Sequence, residues 1–163
     1  MTNSWARTEV AHARTHHLAP GGAPLYPARI IEVLSFHEPG LAAVRDDTGA
    51  FHILPSGEPA YARRFSRTFG FYDGRAAVDD RSRAFHILAD GTDLGTERYA
   101  WCGNFQGARC TVRTERSEYF TSTWLVARLI RSGMRTPETS ERGLPWYRNC
   151  PGITCTSCTT AFH

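Results

Sequence analysis

The sequence predicts an all-β chain: three tandem β-hairpin repeats of about 34 residues, stacked side by side, with a loose N-terminus and a disordered or short-helical C-terminal tail. Three observations predict it. Val44, Val78 and Val112 stand 34 residues apart, as do Phe51, Phe85 and Tyr119. Phe71 and Phe105 keep the same spacing, and Phe36 sits one residue early, an offset that an insertion at Pro39 explains. The tetrapeptide Phe-His-Ile-Leu recurs at 51–54 and 85–88. Self-similarity at one period marks a repeat array, in which each unit buries its apolar face only against its neighbours.

Each unit reads as strands joined by turns. Gly40–Val44 and Gly74–Val78 are short runs of small apolar residues. Ala84–Leu88 alternates, with Phe85 and Ile87 on one face and His86 and Leu88 on the other, the period of a strand. Polar turns, 45–49 and 79–83, join the two runs into a hairpin. Pro55-Ser56-Gly57 and Ala89-Asp90-Gly91 close each unit. The aromatic stretch before each hairpin, such as Arg98–Asn104, adds a third strand. The expected organisation is therefore a loose segment 1–24, a repeat array 25–120 and a non-repeat tail 121–163.

Composition bounds the function. With 163 residues and 41% hydrophobic content the chain can bury a core. The formal net charge is +3, too mild to predict nucleic-acid or membrane binding. All 19 basic residues are Arg. Selection for planar, bidentate contacts is one cause; the arginine codons of a GC-rich genome are the plainer one. There is no run of 18 apolar residues and no apolar signal near the N-terminus, which predicts a cytoplasmic chain without a membrane span.

Candidate sites are few, and each has a plain structural reading. His52 and His86 share one repeat position, with His37 nearby; they could line a metal or ligand groove, or simply point outward or into the interface between repeats. Arg63, Arg64, Arg67, Arg75, Arg81 and Arg83, interleaved with Phe65, Phe69, Phe71 and Tyr72, could face nucleic acid. The balance from Asp73, Asp79 and Asp80 favours a solvated strand face and argues against that partner. Ser66, His86 and Asp90 supply a nucleophile, a base and an acid, a trio any chain this long offers. No catalytic motif is present, so no catalytic residue and no cofactor are predicted. Asp46, Asp73, Asp79, Asp80 and Asp90 fall at turns, where side-chain hydrogen bonds to the backbone explain them.

The pattern of Phe, a turn, Gly-x-Ala-x-Val, a polar turn, then aromatic-x-Ile and Asp-Gly resembles the WG-type (KWG) β-repeats, with Phe-His where that family carries Trp-Gly. The likeness covers about Leu25–Phe120. The stretches 36–44, 67–78 and 97–105 are also similar to the repeat-rich region ahead of class I S-adenosylmethionine methyltransferase domains in some bacterial proteins. The resemblance implies a non-catalytic module for protein or ligand interaction, a fragment of a longer protein, or the accessory region of a methyltransferase whose catalytic domain lies outside this chain. The partner it implies is an unspecified protein.

The tail breaks the pattern after Phe120. Leu125, Val126, Leu129 and Ile130 share a face of a short helix over Ser122–Ser132. A one-base slip of the reading frame near the Phe120 codon explains the break. With permitted codon choices, the shifted frame over Gly133–Tyr147 encodes the repeat core in register, and the nucleotide sequence checks this. Cys150, Cys155, Cys158 and His163 form a candidate zinc set, resting on a single C-x-x-C. The Cys, Ser and Thr content of 150–163 also fits the core of a ribosomally made peptide precursor. An array that ends without a cap exposes apolar edges and predicts marginal stability or self-association.

Overall fold

The computed structural model describes residues 4–27 and 30–123. Three units follow one another, each a three-stranded antiparallel sheet. The first comprises β3 (Glu32–His37), β4 (Leu41–Asp46) and β5 (Gly49–Ile53). The second comprises β6 (Arg67–Tyr72), β7 (Arg75–Asp80) and β8 (Arg83–Ile87). The third comprises β9 (Trp101–Cys102), β10 (Arg109–Arg113) and β11 (Tyr119–Thr123). The aromatic segment before each hairpin is thus a strand, and the middle strand of each sheet carries the repeat valine. Among the described residues no helix is long and apolar enough to cross a membrane.

The expectation of a loose N-terminal segment is corrected. A 3-10 turn at Ser4–Arg7 leads into β1 (Glu9–Val10) and β2 (His17–Leu18), which pair with each other. This hairpin is a truncated leading unit. Leu18 bridges Pro24 as Ile53 bridges Pro59 and Ile87 bridges Asp93. The segment is held because its apolar groups have somewhere to go: Ala11 and Tyr26 are buried, and Trp5 packs against the cluster of the first full unit. The sequence carried the signal, since His17-Leu18 followed by Pro20, Gly22 and Tyr26 parallels His52-Ile53 followed by Pro55, Gly57 and Tyr61.

Units join through paired backbone hydrogen bonds. Ala50 and Phe65 exchange N–H···O bonds of 2.8 and 2.9 Å, and Ala84 and Tyr99 do the same at 2.8 and 2.9 Å. Each full unit has its own apolar cluster rather than sharing one core. Val33, Phe36, Val44, Phe51 and Ile53 fill the first; Phe71, Val78, Phe85 and Ile87 fill the second; Cys102, Phe105, Cys110 and Val112 fill the third. The small residues of the middle strand follow from this stacking. Ala76 and Val78 belong to the second cluster, while Ala77 between them joins the third. A larger side chain there would hold the neighbouring sheet away.

The valine positions are equivalent: Val44, Val78 and Val112 are 3%, 0% and 0% exposed. Phe71 and Phe105 are buried as well, and Phe36 aligns with them because its hairpin turns through Glu38-Pro39-Gly40, one residue more than Asp73-Gly74. Tyr119 requires a correction. Val44 and Val78 face Phe51 and Phe85, but Val112 faces Phe120, and Tyr119 is 49% exposed. The turn before β11 is longer, with Thr114 N–H bonding Glu118 O, so the aromatic register slips by one and a single slip changes the face.

The β7–β8 turn is strained. Arg81 and Ser82 have φ of 47° and 74°, the left-handed pair of a type I′ turn, without the Gly or Asn that adopts it readily. Replacing Arg81-Ser82 with Asn-Gly should raise stability by about 1 kcal/mol. A higher melting temperature checks this, and an unchanged or lower one would contradict the turn geometry.

Candidate functional site

The repeat histidines converge on one construction. Strands β3 and β6 each break register with their partners, between Val33 and Phe36 and between Thr68 and Phe71. Such an irregularity leaves a carbonyl outside the ladder, and the histidine of the preceding unit satisfies it. His17 Nε2 donates to Leu34 O, His52 Nε2 to Phe69 O and His86 Nε2 to Gly103 O, each at 2.8 Å. Each ring also packs on the repeat phenylalanine of the next unit, with centroids 4.4 Å apart for His17 and Phe36, 4.6 Å for His52 and Phe71, and 4.7 Å for His86 and Phe105.

With Nε2 committed as a donor, Nδ1 of a neutral ring is an acceptor. Tyr26 O–H donates to His17 Nδ1 at 2.6 Å, and Tyr61 O–H donates to His52 Nδ1. Burial keeps all partners in the right protonation state. It lowers the pKa of His17 and His86 and brings that of His52 down to about 4. It also pushes Tyr26 up to about 12 and raises Tyr61, so both phenols keep their protons. The histidines therefore lie in the unit interface, the second of the two plain readings. His37 belongs to the interface too, packing on Tyr72 at 4.7 Å over Gly70, where a Cβ would meet its ring at 2.6 Å.

The tyrosines impose a glycine on the following turn. A Cβ at Gly91 would stand 2.6 Å from Tyr61 Cγ, and at Gly57 2.7 Å from Tyr26 Cγ; both glycines have positive φ. Gly91→Ala therefore meets a ring and a disfavoured backbone at once. A loss of about 2–3 kcal/mol is expected, read as a fall in the urea midpoint, and an unshifted midpoint would contradict the packing.

The arginines are likewise drawn into the joints. Arg64 and Arg98, one period apart, lie over the Phe51 and Phe85 rings at 3.7 and 3.9 Å, the face-on stacking that suits a planar guanidinium. Asp93 takes Arg63 at 2.6 Å and Arg98 at 2.5 Å, and these contacts hold its pKa below the ordinary value against the opposing effect of burial. Arg83 pairs with Glu115 at 3.4 Å. The basic middle of the sequence thus serves unit joints more than an open cationic face.

Other candidates disperse. Ser66 Oγ receives the Arg81 N–H, His86 is held by Gly103, and Asp90 accepts from Thr92 within its own turn. Asp46 closes its turn through Thr48 in the same way. Cys102 and Cys110 are buried free thiols; burial raises Cys102 and pushes Cys110 up to about 12, which keeps them protonated and unsuited to metal binding or nucleophilic attack. No group of three or more metal-ligating side chains occurs among the described residues. The candidate zinc set Cys150, Cys155, Cys158 and His163 lies outside them, as does the expected tail helix from position 124 on; its first two residues, Ser122 and Thr123, belong instead to strand β11, paired with β10.

Several openings of similar size remain, and one of them, a groove of about 380 Å³, lies where the first and second units meet. Glu32, Leu34, Arg45, Ser66, Arg67 and Phe69 contribute to its walls. Glu32 is shared between Arg14 at 3.6 Å and Arg45 at 3.8 Å. Burial raises the pKa of Asp79, beside which Arg67 acts in the opposite sense. The groove mixes both charge signs with apolar wall, and sequence periodicity gave no sign of it because it arises between units. No known protein family, curated protein or solved structure matches the chain.

Proposed function

We propose that this chain is a non-catalytic repeat scaffold whose inter-unit groove takes a segment of another polypeptide. The observation that carries the reading is how the side chains are divided. The repeated polar residues, His17, His52 and His86 with Tyr26 and Tyr61, are committed to holding units together, while the groove keeps Arg45, Ser66 and Arg67 on its walls. Mixed charge beside apolar wall suits a peptide better than a polyanion, whose phosphates call for a single-sign surface. The likeness to WG-type repeats, and to the repeat region ahead of methyltransferase domains, supports the same reading.

The test is selection of peptides from a random displayed library on the full chain. Enriched peptides should lose about tenfold or more in affinity on Arg67→Glu, as expected when a charge contact becomes a repulsion, while the melting temperature stays within about 2 °C. Peptides indifferent to Arg67→Glu, or no enrichment at all, would overturn the proposal.

A further inference from the structure

Three histidines occupy equivalent places, but only two have their phenol. His17 meets Tyr26 and His52 meets Tyr61, each tyrosine nine residues further along the chain. The residue nine beyond His86 is Gly95. Among the described residues no hydrogen-bond partner reaches His86 Nδ1. The ring is otherwise set as the others are, with its Nε2 on Gly103 O at 2.8 Å and its face toward Phe105 at 4.7 Å. It is 6% exposed, against 0% for His17 and His52. A pocket opens at this place, lined by His86, Leu94, Gly95, Tyr99, Phe105 and Ser122 among others, with about 30 Å³ of room.

We propose that this pocket binds a phenol, which places its hydroxyl on His86 Nδ1 and its ring beside Leu94, Tyr99 and Phe105. The chemistry follows from the donor count. The Nε2 proton is committed to Gly103 O, so Nδ1 presents a lone pair and the ligand must bring the donor. His86 is 6% exposed and its Nδ1 is not a sealed-off atom, so a phenol hydroxyl there takes the place of solvent at the lone pair. The 30 Å³ is room for that hydroxyl, since a water needs about 10–15 Å³; the ring lies in the mouth of the pocket. The chain itself displays the pose twice. Tyr26 and Tyr61 sit with ring centroids 5.7 and 5.8 Å from their histidines, at interplanar angles of 64° and 61°. The pocket is separate from the groove between the first and second units, so either proposal can fail alone.

The probe is p-cresol, the side chain of tyrosine as a free molecule, titrated into the full chain and followed by the ¹⁵N resonance of His86 Nδ1. Saturable binding is expected, with toluene about tenfold weaker because it lacks the O–H, a difference of about 1.4 kcal/mol. N-acetyltyrosinamide separates the sources of the phenol: saturation by both compounds supports a site for a tyrosyl side chain, and saturation by p-cresol alone supports a site for a free phenol. Gly95→Tyr should abolish binding and raise the melting temperature by supplying the phenol in cis. The proposal is overturned if p-cresol gives no saturable shift, as a pocket holding only water would, or if toluene binds equally well. Binding that persists in folded Gly95→Tyr overturns it too; should that variant not fold, the toluene comparison decides.

Discussion

His52→Ala should cost about 4 kcal/mol and His86→Ala measurably less. Removing the His52 ring empties a fully buried site between two units, a large-to-small change of the kind that costs about 2–5 kcal/mol. It also strips Phe69 O of its shorter donor, leaving the Thr68 hydroxyl at 3.4 Å, and Tyr61 O–H of its acceptor, and a buried orphan adds about 1–3 kcal/mol unless water enters. These contributions overlap and do not sum in full. His86→Ala opens a similar hole but orphans only Gly103 O, because no tyrosine stands at position 95. The two variants thus form an internal comparison at equivalent repeat positions. Chemical denaturation of both checks the ranking, and equal losses would mean that the tyrosine contact contributes nothing.

The ranking bears on cooperativity. In a repeat array stability divides into terms within units and terms between neighbours. Here the second kind rests at each full joint on two backbone bonds, one histidine latch, one stacked arginine and the small apolar contribution of side chains such as Leu41 and Ala77 to the next unit's cluster. With separate apolar clusters per unit, loss of the His52 latch is expected to uncouple the leading and first units from the rest. Hydrogen exchange in His52→Ala should show β1–β5 opening at lower free energy than β6–β8. Uniform protection would show that the clusters act as one core.

The hairpins and their order were legible because period two and period 34 both act on side chains that face the core: Val44, Val78, Phe51 and Phe85 announce themselves by spacing alone. The joints were harder to read. A histidine at a recurring position looks equally suited to solvent, ligand or interface until the irregularity in the next strand shows which carbonyl it serves. The leading unit escaped notice because it lacks its first strand and carries Ala11 where a full unit carries valine. Tyr119 misled because spacing counts residues and not the length of the turn between them. The groove and the pocket beside His86 have no sequence period, since one lies between units and the other exists only where a tyrosine is replaced by glycine.

Acidification should unfold the chain well before its carboxylates protonate in the ordinary range. His17, His52 and His86 are all held neutral by burial, with pKa values below the usual 6.5 and that of His52 near 4. In the unfolded chain these rings take up protons near 6.5, so between that pH and about 4 the unfolded state binds more protons than the folded one. Stability is therefore fully present above 6.5 and falls as the pH drops toward 4, by about 3 kcal/mol from His52 alone. His17 and His86 add in the same direction; His16 beside the first and Arg75 near the second oppose protonation further. Asp46 and Asp93, whose values are lowered, lose their contribution only below this window, and Asp79, whose value is raised, works the other way. A total loss of several kcal/mol is comparable with the whole stability of a domain this size. The urea midpoint should drop steeply between pH 6.5 and 4.5, and His52→Phe, which cannot take up a proton, should flatten part of that slope. A midpoint constant over the same range would show that the rings titrate alike in both states, and the latch as described could not then exist.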